Sequence, residues 1–259
     1  MATAISKMVS FFILLWPYVK GKSTVKLAFR YFRYVWEDVK NVLSIGSTSF
    51  LRSACTVVAN VLLNRIGGSY STSALAAISV SNRVMEFPFA IILGFGQGYQ
   101  PVVGFNWGAK QWKRVKESLD FSILVSVIGT VIMALILVFA ANPVVRMFNK
   151  QADEEVLKLG VFCIRMQCIV LFAHSLNSII NMFFAGVGKA GYALLMSTAR
   201  QGYLFLPVIL IAPALLGAYG VASAQAIADA LSLVISIPLA LKAYKMIREK
   251  MAEPQGEIV

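Results

Sequence analysis

The chain has 259 residues, of which 58% are hydrophobic and 14% charged, with a mean hydropathy of +0.73. Soluble domains carry about 25% charged residues, so a water-soluble globule is excluded and lipid is the expected solvent. The net charge of +12 would suggest nucleic acid in a soluble protein; here Lys and Arg gather between apolar runs, as membrane topology requires, and no nucleic-acid partner is expected.

The first apolar segment, Thr3–Val19, lacks a charged leading region and a small-residue cleavage site, so it reads as a retained span. Residues 20–41 are basic and aromatic by turns (Phe29, Tyr31, Phe32, Tyr34, Trp36), which suits a cytoplasmic interfacial linker. The next segments are Val42–Leu63 and Ala74–Phe105, then Phe121–Val145 without a charged residue. Pro143–Gly160 is amphipathic and expected outside, with Asp153, Glu154 and Glu155 opening the following helix at its positive dipole end. Met166–Gly188 is again uncharged, followed by Gly191–Ala212 and Ala218–Leu241. A span takes about 20 residues, so the fold class is an all-α membrane protein of about seven transmembrane helices. The long continuous runs exclude a β-barrel, whose strands alternate over about 10 residues. The six helices of residues 42–245 form one bundle, and 246–259 is a polar tail.

Connections alternate in charge. One set (Lys20–Lys40, Gly108–Ser118, Gly188–Arg200 and the tail after Leu241) holds sixteen Lys and Arg; the other holds four, at Arg65, Arg146, Lys150 and Lys158. The basic set is cytoplasmic by the positive-inside rule, and so is the C-terminus.

Charges inside apolar spans cost about 2.5–3.5 kcal/mol each on insertion scales and mark function or pairing. Four stand out: Arg52, Arg83, Glu86 and Asp229. Glu86 follows Arg83 by three residues on one helix face. The two form an internal ion pair, or Glu86 faces a cavity and binds a cation or proton. Asp229 pairs with an arginine across the bundle (Arg52 is one candidate) or takes part in coupling. Asn82, Asn177 and Asn181 are further polar candidates, with interhelical hydrogen bonding as their default role. So are Asn60, Gln97, Gln100, Gln167 and Gln225. His174 is a bundle histidine or a proton relay. Gly94, Gly96, Gly98, Pro101 and Gly104 crowd one helix end; with Pro207 and Pro213 they are hinges or static kinks. Cys55, Cys163 and Cys168 lie in apolar runs without disulfide or metal spacing, so no metal site is expected. One His and scattered Ser offer no nucleophile–base set, so no catalytic residues are expected and an enzyme is disfavoured.

The run Gly94–Lys116, GFGQGYQPVVGFNWGAKQWKRVK, closely resembles the multidrug and toxic compound extrusion (MATE) family. Collinear pieces agree: Ile45-Gly46, Ala74–Pro88, Asn142–Arg165, and Arg200–Asp229 with its Pro207, Pro213, Gly217 and Gly220. Met1–Tyr18 resembles the last helix of that family's N-terminal lobe. The resemblance covers residues 1 to about 248. It implies a transporter of two six-helix lobes that exports amphipathic organic cations (drugs) against inward Na⁺ or H⁺, from a multi-pass position in the plasma membrane, with no cofactor. By the same resemblance the chain is the final N-lobe helix (1–19) plus the C-lobe, with the N-lobe as its partner. A fragment, a split-gene product and a truncated product all remain open. A lipid-linked saccharide flippase of the same superfamily is the alternative; it predicts more cationic residues around the cavity.

Overall fold

The computed structural model describes residues 2–20, 35–70, 72–148 and 154–252. These residues form eight helices and no strand: α1 (Ala2–Val19), α2 (Trp36–Tyr70), α3 (Thr72–Gly108), α4 (Trp112–Phe148), α5 (Glu154–Ile169), α6 (Leu171–Gly186), α7 (Ala190–Ala199) and α8 (Phe205–Ala252). Most of the expected 20–41 linker (21–34), the outer connection at 149–153 and the tail end 253–259 lie outside the described residues, as does the side chain of Arg52. The chain divides into two compact units, Met1–Leu43 and Ser44–Val259. In the first, the Lys20 ammonium sits 4.5 Å over the Trp16 ring, a pairing typical of helix ends at a membrane interface.

The second unit shows by its side-chain distribution that lipid is its solvent. Helix α4 buries Ser122, Ser126 and Thr130 and turns Leu124, Ile132, Ile136 and Phe139 outward, the last 82% exposed. Water would reverse that pattern. In lipid, small hydroxyl residues let helices approach, and such hydroxyls can bond their own backbone: Ser126 Oγ donates to the Ile123 carbonyl at 3.1 Å and Thr130 Oγ1 to the Ser126 carbonyl at 2.8 Å. Helices α3, α4 and α8 are long and apolar enough to cross a membrane, and α5 with α6, bent by 48°, are so when taken together as one broken span.

Helix α5 starts at Glu154 with Glu154 and Glu155 in its first turn, where the acidic cluster leads one to expect a helix start, and it is helical well before the uncharged run that begins at Met166. Its buried residues Val156, Leu159, Gly160, Cys163, Ile164 and Gln167 recur at helical spacing, so it joins the bundle although Lys158 and Arg165 interrupt the apolar run. Helix α8 is two helices joined at Gly217, whose φ of 59° and ψ of −137° suit glycine alone. A Cβ on Gly220 would collide with the Ala212 carbonyl oxygen, eight residues earlier, so the chain has reversed direction. Phe205 and Ile209 of the first arm accordingly pack against Val221, Ala224 and Ala228 of the second. The hairpin falls where two separate spans, Gly191–Ala212 and Ala218–Leu241, are expected.

Helices α3 and α6 cross at their closest through glycine. A Cβ on Gly186 would lie 2.6 Å from Val103 Cγ1 and 2.8 Å from the Gln100 carbonyl oxygen; one on Gly104 would lie 3.1 Å from the Gly186 carbonyl. One on Gly96 would meet Met182 at 3.1 Å, whereas Gly94 and Gly98 have nothing within 4 Å. The glycine-rich segment therefore contains both packing and unpacked positions. Pro101 lies within α3, which runs on to Gly108.

Candidate cation-binding site

The site grows from a broken helix. Between α7 and α8, residues 200–204 form turns that widen the helical path, although Arg200 keeps helical dihedrals. The Leu204 N–H reaches back five residues to the Ala199 carbonyl at 3.2 Å, while Gly202 N–H bonds Thr198 at 2.7 Å. Such wide turns inside helices recur at functional sites. The break also packs tightly on α2: a Cβ on Gly202 would lie 3.3 Å from Cys55 Sγ, and Thr56 donates a hydrogen bond to Gln201 Oε1. Irregular backbone at membrane depth is tolerated where it is buried in protein or lines a cavity.

Here it does line one, of about 270 Å³, between α2, α3, α5 and both arms of α8. Thr56 and Asn60 come from α2, Asn82, Glu86 and Phe89 from α3, and Gln167 from α5; Arg200 and Gln201 come from the break, and Gln225 from the second arm. The depth follows from helix rise, about 1.5 Å per residue. Arg200 lies ten residues into the bundle from Ala190, about 15 Å; Glu86 lies fourteen from Thr72, about 21 Å. Both therefore lie several turns inside the bundle from those helix starts.

The charges are unequally paired. Arg200 Nε donates to Asp229 Oδ1 at 2.7 Å, with side chains 17% and 2% exposed. The guanidinium also stacks over Phe89 at 4.2 Å, and Gln225 Nε2 lies 3.4 Å from the same carboxylate oxygen. Phe89 in turn meets His174 edge-on at 4.8 Å. Asp229 is thus neutralised within the wall. Glu86 takes part in no ion pair among the described residues, so the cavity carries one uncompensated carboxylate. Gln167 Oε1, buried and without a protein hydrogen-bond partner, adds an acceptor to the lining. A carboxylate among amides and one aromatic face is a setting for a cation.

Of the sequence candidates, Asn60, Asn82, Glu86, Gln167 and Gln225 line this cavity, and Asp229 stands one residue behind its wall. Arg83 is exposed, lines no part of it and forms no ion pair with Glu86, which corrects the internal-pair alternative: a spacing of three allows contact without compelling it. Asn177 and Asn181 also lie apart from the lining, Asn177 fully enclosed by protein. Asp229 pairs with Arg200; the side chain of Arg52, the other candidate partner, lies outside the described residues. Arg200 itself was reckoned with the cytoplasmic connections, and its place inside the bundle lowers that set to fifteen against four. The available signal was a charge, an amide and a glycine, Arg200, Gln201 and Gly202, in the middle of the apolar run Gly191–Ala212.

Comparison with known proteins agrees with this architecture. The chain is 24% identical over 230 residues to the multidrug export protein MepA of Staphylococcus haemolyticus, covering 88% of this chain and 50% of that protein. Its fold superposes with a TM-score of 0.84, at 19% identity, on the outward-facing conformation of a multidrug resistance MATE family transporter of the MOP superfamily, over 96% of this chain and 55% of that one. It superposes with a TM-score of 0.80, at 16% identity, on the Vibrio cholerae MATE transporter VcmN in its bent form, over 92% and 54%. The chain therefore spans about half the length of the relatives it matches. The MatE family model matches residues 48–211, more than half of the sequence, and the chain belongs to the MatE family.

Proposed function

We propose that this chain supplies the C-terminal lobe of a cation-coupled multidrug efflux transporter, and that Glu86 holds the cation. The observation that carries the reading is one carboxylate, exposed on the wall of an amide-lined cavity and without an ion-pair partner among the described residues. In a low-dielectric wall a carboxylate attracts a lipophilic cation strongly, and it can instead hold Na⁺ or H⁺. Exchange of these occupants on one group is what antiport requires. A second six-helix lobe, on a longer chain or a separate one, would close the cavity from the other side. Alternating access would then bend α3 at its unpacked positions Gly94 and Gly98 and at Pro101, with Pro207 and Pro213 flexing the first arm of α8. The loop charges support a plasma-membrane protein with a cytoplasmic C-terminus, acting in transport and not in catalysis.

The saccharide-flippase alternative gains less support. Its anionic substrate calls for cationic lining, and the one arginine in this cavity is already neutralised by Asp229.

The test is dye efflux from proteoliposomes holding this chain with a MATE N-lobe, under imposed Na⁺ or pH gradients. Gradient-driven efflux that disappears in Glu86→Gln supports the reading. Efflux with unchanged ion dependence in Glu86→Gln refutes it.

A further inference from the structure

Arg200 is the residue the proposed mechanism leaves unused. It lines the cavity and covers Asp229, its side chain 17% exposed against 2% for the carboxylate behind it. Its position is fixed three ways: Nε on Asp229 Oδ1 at 2.7 Å, the guanidinium plane over Phe89 at 4.2 Å, and the adjoining Gln201 bonded by Thr56 across to α2. The next group on that wall, Gln225, bridges cavity and carboxylate, since it lines the one and approaches the other at 3.4 Å.

Resting on the cation-site reading above, we infer that Arg200 is a built-in charge selector, a positioning residue that sets how many positive charges the ligand carries. With Arg200 in place, Asp229 is cancelled and Glu86 alone faces the ligand. The cavity then balances one positive charge, and a monocation fits. Without Arg200, Asp229 is left as a buried carboxyl behind Gln225 that ionises when a second positive charge approaches it, and the cavity then balances two. The preferred ligand changes from an amphipathic monocation to a dication, with no change in the shape of the apolar lining. Asp229 is therefore held in reserve by its partner, and not itself the group that touches the ligand.

A unit charge about 10 Å from the ligand, at an effective dielectric of about 20, changes affinity by about tenfold per ligand charge. The experiment measures equilibrium binding of tetraphenylphosphonium and of decamethonium, a bis-quaternary dication, to the full chain in phosphatidylcholine nanodiscs. Wild type is expected to prefer tetraphenylphosphonium. Arg200→Gln shifts the preference toward decamethonium by about tenfold, and Arg200→Gln with Asp229→Asn returns it to the wild-type value. Arg200→Lys keeps the wild-type preference, because it keeps the charge. Should Arg200→Gln fail to fold, Asp229→Asn tests the same idea from the other side. It leaves Arg200 uncancelled and lowers decamethonium affinity about tenfold more than tetraphenylphosphonium affinity. A preference that stays constant across the folded variants, with binding intact, overturns the selector and leaves the cation site standing. Absence of binding by either probe to any variant overturns the cation site and the selector together.

Discussion

Substituting Gly186 by alanine tests the α3–α6 crossing, on which the position of Glu86 depends. The added methyl would sit 2.6 Å from Val103 Cγ1 and 2.8 Å from the Gln100 carbonyl oxygen. Val103 can rotate, but the carbonyl belongs to a helix backbone so close that a Cβ on Gly104 would itself lie 3.1 Å from the Gly186 oxygen. Overpacking of this kind costs about 1–3 kcal/mol, and the better helix propensity of alanine returns up to about 1 kcal/mol. The net expectation is about 1–2 kcal/mol of destabilisation. For a bundle of this size that lowers Tm by about 2–8 °C. Thermal unfolding in detergent, followed by size-exclusion fluorescence, reads the difference. Gly98→Ala is the control, since its methyl meets nothing within 4 Å and its Tm should hold or rise slightly. The reasoning is refuted if Gly186→Ala unfolds with wild type while Gly98→Ala falls.

Arg200→Leu strands the Asp229 carboxylate at 2% exposure and should cost about 3–5 kcal/mol, whereas the Arg200→Leu, Asp229→Leu pair should recover most of it; a double-mutant cycle on Tm checks both. Gly220→Ala pushes a methyl into the Ala212 carbonyl at the α8 hairpin. It should lower Tm more than Gly186→Ala, because the obstacle is backbone on the same tight turn. Fusion of alkaline phosphatase after Ala252 should give no activity, and of green fluorescent protein a bright signal, if the basic connections lie in the cytoplasm.

The helices were legible because hydropathy in a bilayer is read over long windows, and the α8 hairpin because Pro213 and Gly217 interrupt an apolar run. Glu86 was legible for the opposite reason: an acid inside such a run is costly and draws the eye. Helix α5 was harder. Lys158 and Arg165 break its apolar continuity, and only the helical recurrence of Val156, Leu159, Cys163 and Gln167 betrays its buried face. Arg200 shows the deeper limit. Loop-charge counting assigns a residue to the membrane surface by its neighbours in sequence, and Lys189 stands nearby. The ten residues of α7 between them carry Arg200 about 15 Å inward. Whether the Arg83–Glu86 spacing makes a pair was likewise beyond sequence, because the faces of α3 are assigned by what α2, α5 and α8 present to them.

The central claim is that a cation sits beside Glu86. Photo-crosslinking with a diazirine-bearing lipophilic monocation, mapped by mass spectrometry on the full chain in nanodiscs, tests it most directly. The account predicts label on the cavity-facing residues of α3 and the second arm of α8, around Asn82–Phe89 and Val221–Gln225. That label should be competed by tetraphenylphosphonium and lost in Glu86→Gln. Label confined to the outward face of α4, insensitive to competitor and to Glu86→Gln, would contradict it.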